Sequence, residues 1–215
     1  MSLLTSFFEI LFPLRCIACS RTKTRLCERC INKLSSATPL GGHQHAVFRY
    51  KDPIVQRAVR ILKNKKDAHL ANILGHAVSQ YLLEILSDLS YQYPVDDMVI
   101  TEIPMDPKSM RKRGFNQAAL LATGISKHLP LSHTLRSGLL KKNPTKKQAL
   151  LTKRADRFSN IKGTMHGSKM LKTHVRGKVV LLVDDIITTG ATMEEGVRVL
   201  KKAGAIEVFC VAMAH

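Results

Sequence analysis

The sequence predicts an α/β protein: a parallel sheet flanked by helices, with a small cysteine-bearing module before it. Three observations predict this. Residues 179–192 read VVLLVDDIITTGAT, in which five apolar residues run unbroken into Asp184 and Asp185, then a small hydroxyl-rich turn and a helical pattern. An unbroken Val/Leu run suits a strand covered on both faces, the setting of a parallel sheet. Strand-like and helix-like patterns alternate from residue 46 onward, which is the order that builds β–α–β units. Ahead of them stand two C-x-x-C pairs separated by seven residues.

Composition narrows the class. The chain has 215 residues and a hydrophobic fraction of 45%, which fits one medium α/β domain with a small appendage and argues against disorder. Its 34 Lys and Arg outnumber 16 Asp and Glu, a formal net charge of +18 that favours polyanionic partners. The excess sits in one place: residues 107–178 hold 18 Lys or Arg and a single acid, Asp156. No apolar run is long enough to span a bilayer. The N-terminus lacks an early cationic region and carries Glu9, which makes a poor signal peptide. The expectation is an intracellular, cytoplasmic protein.

The elements follow in order. Residues 3–14, with Leu3, Leu4, Phe7, Phe8, Ile10, Leu11 and Phe12, suit a short amphipathic helix ending at Pro13. Packing on the protein body is the favoured reading; peripheral contact with the inner membrane is the weaker one, because cations are few on its polar face. Cys16, Cys19, Cys27 and Cys30 then present four thiolates at a spacing that suits a structural Zn2+ site. Metal binding also explains how so polar a segment can fold. Arg15, Arg21, Lys23, Arg25 and Arg29 surround the cysteines and would favour thiolates or meet nucleic-acid phosphates. Residues 35–45 read as a linker, with His43 and His45 solvated. The expected division is 1–40 for the helix and zinc knuckle and 46–215 for the α/β domain.

A short strand is expected over 46–50 and a helix from Pro53, which fits a first-turn position. That helix runs into Lys63, Lys65 and Lys66, and a long helix follows over 70–89. Residues 98–103 read as a buried strand ending at Pro104. Next come Arg111, Lys112 and Arg113, cations for a pyrophosphate or a nucleic-acid backbone, and Asn116 and Gln117, neutral donors at the start of an Ala/Leu-rich helix. Residues 141–157, a dense cation run with Asn-Pro, read as a mobile loop leading into a short helix. The strand over 179–183, a helix over 191–203 and a last strand over 206–212 complete a β–α–β unit. Cys210 falls in an apolar run and reads as an inert buried thiol. Glu194 and Glu195 suit the dipole of the helix they open.

At the carboxyl end of the strand over 179–183, the acids and turn fall where open α/β sheets bind ligands. The turn offers backbone N–H groups, hydroxyls and a helix N-terminus, an anion site. The stretch from Val180 to Thr192 resembles, position by position, the thirteen-residue motif of type I phosphoribosyltransferases. The resemblance implies that Asp184 and Asp185 face the ribose hydroxyls of phosphoribosyl pyrophosphate, with Mg2+ nearby. It implies that Ile187, Thr188, Thr189, Gly190, Ala191 and Thr192 hold the 5'-phosphate. It makes Lys63, Lys65 and Lys66 candidates for the pyrophosphate. The run R-G-F-N-Q over 113–117, with the four cysteines, further resembles the ComF family, phosphoribosyltransferase-like proteins associated with DNA uptake in competent bacteria. That resemblance implies handling of incoming single-stranded DNA, alongside competence or DNA-translocation proteins. The alternative is an active phosphoribosyltransferase of nucleotide metabolism or salvage. Low aromatic content, 5% with no Trp, argues against a large base-stacking platform.

Overall fold

The computed structural model describes residues 13–93, 97–130, 132–143 and 161–215. Most of the helix expected over 3–14 and most of the cationic loop over 141–157 lie outside these residues. A short helix α1 (Glu28–Ile31) sits in the cysteine module. The main sheet has five parallel strands, in the order β1 (Gln44–Phe48), β7 (Glu207–Ala214), β6 (Val179–Ile186), β2 (Met98–Glu102), β3 (His133–Leu135). It is a type I phosphoribosyltransferase-like fold, as the sequence leads one to expect. β6 lies at the centre, paired with β7 from Val179↔Glu207 to Ile186↔Ala214 and with β2 from Val99↔Val180 to Glu102↔Val183.

Both faces of the sheet are covered. Val179, Leu181 and Val183 point into one apolar core; Val180 and Leu182 point into the other. Each is buried, and a fully buried side chain of this size contributes about 1.5–3 kcal/mol. The first core is closed by α2 (Pro53–Asn64), α3 (Ala68–Leu89), α5 (Gln117–His128) and the cysteine module. The second is closed by α7 (Ala191–Lys202), the short helix α6 (Leu171–Val175) and a small antiparallel pair, β4 (Leu140–Lys142) with β5 (Met165–Gly167).

Side-chain caps fix where the helices start. Asp52 accepts from Ile54 N at 2.8 Å with Pro53 behind it, and Asp67 accepts from Leu70 N at 2.9 Å. Asp106 caps α4 (Pro107–Arg113) through Lys108 N and Ser109 N, and Asn116 caps α5 through Ala118 N. Between the last two, Gly114 takes φ 75°, a left-handed turn that stops α4. This short helix was not anticipated in the R-K-R-G-F-N-Q segment.

Residues 35–45 do not behave as a free linker. Ala37 N donates to Val47 O at 2.9 Å and Arg49 N to Ser35 O at 2.8 Å, so the segment straps the outer edge of β1. An edge left open would invite pairing with another chain. Gln44 and His45 already belong to β1. Among the described residues, no helix is long and apolar enough to cross a membrane.

α3 and α5 cross at glycines. A methyl at Gly75 would collide with the Gly124 backbone, and one at Gly124 with Ala71 O. Gly75→Ala or Gly124→Ala is therefore expected to destabilise the fold by about 2 kcal/mol, although alanine favours a helix by ~1 kcal/mol. A urea midpoint that rises in either variant would contradict this crossing.

Candidate functional site

The four cysteine sulfurs lie within 4.8 Å of one another. Cys16 Sγ is 3.8 Å from Cys27 Sγ, and Cys19 Sγ is 3.7 Å from it. A tetrahedron with Zn–S bonds of ~2.3 Å has S···S edges of ~3.8 Å, so the donor set fits zinc. Electrostatics agree. Burial opposes ionisation of Cys16, but N–H groups of Cys19, Cys27 and Ala18 outweigh it and bring the thiol down to about 6. Cys30 goes the other way, up to about 12, because Cys27 and then Cys19 crowd it with their sulfurs. The cluster thus favours the thiolate at Cys16 and opposes it at Cys30, a conflict that a dication removes.

The second site opens where β6 ends. Strand alternation separates its two acids: Asp185 continues the face of Val183, toward α2, and Asp184 the face of Leu182, toward α7. Lys63, in the last turn of α2, brings Nζ to 3.2 Å from Asp185 Oδ2. Asp185 is 5% exposed, so this cation meets a carboxylate that water hardly reaches. Asp184 Oδ1 accepts from Asp185 N at 2.8 Å. Burial, and then the charge of Asp185, push the Asp184 carboxyl well above its ordinary value. The pair borders a cleft of ≈ 270 Å³ that Lys63, Asp106, Ser109, Arg113, Lys142 and Thr192 also help to line.

Beyond β6 the chain turns at Thr188 to Gly190 and enters α7. Gly190 takes φ 79° at the helix N-cap, and the Gln44 amide occupies the space a side chain would need. Gln44 Nε2 donates to Glu194 Oε1, and His43 Nε2 lies 3.4 Å from the same oxygen. The edge strand thus props the first turn of α7. Ile187 N is committed to Ala214 O at 2.9 Å, and His215 Nδ1 lies 3.0 Å from Ile187 O. The turn and the first turn of α7 therefore hold the amides that can meet a phosphate.

Of the residues singled out from sequence, the cleft gathers Lys63, Arg113, Asn116, Gln117, Asp184, Asp185 and Thr192. Arg113 Nη1 donates to Gln117 Oε1 at 3.1 Å, and both residues line the cleft. Asn116 has a structural share as well, since its Nδ2 donates to Ile103 O at 2.9 Å. Lys65, Lys66, Arg111 and Lys112 are exposed and do not line the cleft. Asp106, Ser109 and Lys142 do line it, and the sequence reading missed them. Asp106 announced itself only as the acid before a proline. Its carboxyl is held below the ordinary value, chiefly by the Ser109 hydroxyl and N–H.

Two buried acids were also missed. Glu195 is more than a charge at a helix start: it accepts from Gly163 N at 2.7 Å and Met165 N at 3.3 Å while pairing with Arg198 at 2.7 Å. It pins β5 to α7. Glu102, raised by burial, accepts from Gly138 N at 2.9 Å and so holds the turn before β4.

A central strand ending in paired acids, a hydroxyl-bearing turn and a helix N-terminus beside a cationic cleft define a phosphoribosyltransferase-like protein. Residues 117–215 match the family model described as Phosphoribosyl transferase domain. The chain is 27% identical to the "DNA utilization protein YhgH" of Salmonella typhi over 86% of this chain and 76% of that protein. It is 25% identical to "Competence protein F" of Haemophilus influenzae, over 92% and 95% of the two chains. To "Competence protein ComFC" of Bacillus subtilis it is 30% identical, over 74% of this chain and 58% of that protein. The chain is a homologue of these competence and DNA-utilization proteins, with a phosphoribosyltransferase domain and a four-cysteine cluster.

Two outcomes are expected. Because the Asp184 carboxyl is raised on folding, its contribution to stability is complete below the ordinary carboxylate range and is lost as pH rises through the folded value. Asp184→Asn should then raise the ligand-free Tm at neutral pH by about 2–4 °C, the effect of ~1 kcal/mol in a chain of this length, and the gain should vanish in acid. A variant that melts lower at neutral pH would contradict the charge conflict. Cys27→Ser should abolish stoichiometric zinc, read by elemental analysis, and lower stability by ~3 kcal/mol.

Proposed function

We propose that this chain binds phosphoribosyl pyrophosphate with Mg2+ and acts in natural competence, handling incoming single-stranded DNA in the cytoplasm. The observation that carries the reading is the Asp184–Asp185 pair, one acid on each face of β6, in a cleft that Lys63, paired with Asp185, and Arg113 also line. Asp184 and Asp185 would hold the ribose diol. The turn from Thr188 to Thr192 would take the 5'-phosphate on backbone amides, and Lys63, Arg113 and Gln117 would face the pyrophosphate. The donor set fits a hard dication, because adjacent carboxylates, Asp185 buried and Asp184 half-buried, repel each other and offer only oxygen. Mg2+, when bound, supplies charge neutralisation for the pyrophosphate and the acid pair. Zinc in the cysteine module is structural, since four thiolates leave no open position.

The names of the homologues support the biological setting. So do the exposed cations of α4: Lys108, Arg111 and Lys112 stand on the helix that brings Ser109 and Arg113 to the cleft, available to a phosphate backbone. If four phosphates are contacted, single-strand affinity should fall ~50-fold for a fourfold rise in salt. A flat salt profile would remove the DNA part of the proposal. For the ligand part, calorimetric titration with phosphoribosyl pyrophosphate is expected to show Mg2+-dependent binding. Asp184→Ala with Asp185→Ala should weaken it by ~100-fold or more while the cooperative unfolding transition persists. Retained affinity in that double variant would refute the site. Acceptor-dependent pyrophosphate release from a panel of nucleobases would instead identify an active phosphoribosyltransferase.

A further inference from the structure

The segment that carries Lys63 is fastened at both ends by the cysteine module. Upstream, Arg57 on α2 donates from Nη1 to Ile17 O at 2.7 Å, inside the first C-x-x-C pair. Downstream, Asp67 meets Arg25 at 2.9 Å, Nε to Oδ2, with the Asp67 side chain only 8% exposed. Arg25 stands between the two cysteine pairs, and its own carbonyl accepts from Ile17 N at 2.9 Å. Lys63 lies between the two fastenings, six residues after Arg57 and four before Asp67. The connection from α2 to α3 is short and tightly turned, with Asp67 N bonded to Lys65 O at 2.7 Å. There is little slack through which a shift at Asp67 could be absorbed before it reached the last turn of α2.

Packing points the same way. Cys16, Ile17, Leu26, Cys27 and Cys30 are buried in one continuous apolar core with Val55, Val59, Leu62 and Leu70. α2 and the start of α3 therefore rest on the module rather than merely near it. From Arg57 to Lys63 the helix rises ~9 Å, a rigid lever between module and cleft.

We propose that Arg25 and Asp67 are positioning residues for the cleft, through which the four-cysteine module sets the reach of Lys63 toward Asp185 and the bound pyrophosphate. Asp67 divides its carboxylate between two tasks: Oδ1 caps α3 at Leu70 N, and Oδ2 holds Arg25. The first task survives replacement by asparagine; the second loses its charge. The inference rests on the ligand reading above and deepens it on the pyrophosphate side, where Lys63 stands.

The test uses the zinc-loaded full chain, with zinc content and melting temperature recorded for every variant. Pyrophosphate with Mg2+ and ribose 5-phosphate are titrated separately. Asp67→Asn and Arg25→Gln are each expected to weaken pyrophosphate ~5-fold while ribose 5-phosphate stays within about twofold. The two together should be no worse than either alone, and Arg25→Lys should restore pyrophosphate binding. Unchanged pyrophosphate affinity, equal loss of both ligands, or additive single effects would overturn the inference. Wild-type protein that binds neither ligand would overturn the ligand reading and this inference with it.

Discussion

The Lys63–Asp185 ion pair joins two requirements that oppose each other. β6 must be apolar enough to sit at the middle of a sheet covered on both faces, and it must deliver two carboxylates at its end. Val179 to Val183 meet the first requirement by complete burial. The second then falls on groups that the same burial has largely taken out of water, and an unpaired buried charge is costly. One acid is answered by a cation from the neighbouring helix. The other is left to push its own proton affinity upward. The ligand-free site is thus incomplete electrostatically on one face only, the face that also looks toward the phosphate turn.

That asymmetry gives the rest of the architecture its logic. The Lys63 side must be held firmly, since its cation has to stay near a carboxylate in competition with solvent. It is the side with the larger apolar core, the long α3 and the cysteine module. The Asp184 side is covered by smaller pieces, the β4–β5 pair and α6, tied down by single buried acids. Glu195 serves two backbone amides and Arg198 at once, and Glu102 serves Gly138. Removing Glu195 would strand the Met165 N–H in the interior rather than merely delete a charge.

How much of this was legible in the sequence depended on chain distance. The site's centre was readable because its parts are contiguous: strand, acids, turn and helix follow one another within fourteen residues, and strand periodicity assigns each acid a face. The cysteine cluster was readable because ligand spacing within each pair is local. Lys63 was readable as the cation at a helix end, although not as the partner of Asp185. The hidden features are pairings across long stretches of chain. β4 and β5, LKK and MHG, are three residues each and carry no alternation to detect. The strap over 35–37 looks like a linker because its backbone, not its side chains, makes the contact. Glu195 fits its helix dipole so well that nothing local suggests a second duty.

Chain distance hides the role of Arg25 as well. In sequence it belongs to a cationic cluster around the cysteines, where thiolate stabilisation or phosphate binding are the natural readings. In the fold its guanidinium turns away from both uses and faces Asp67, a residue already engaged as a helix cap. A surface ion pair alone would carry little weight. This one differs because its carboxylate is nearly enclosed and because the connector it fastens ends in the lysine that balances Asp185. A four-cysteine module that buries Cys16, Cys27 and Cys30 in the domain's own core, and grips the adjoining helices at two points, joins the framework that carries Lys63.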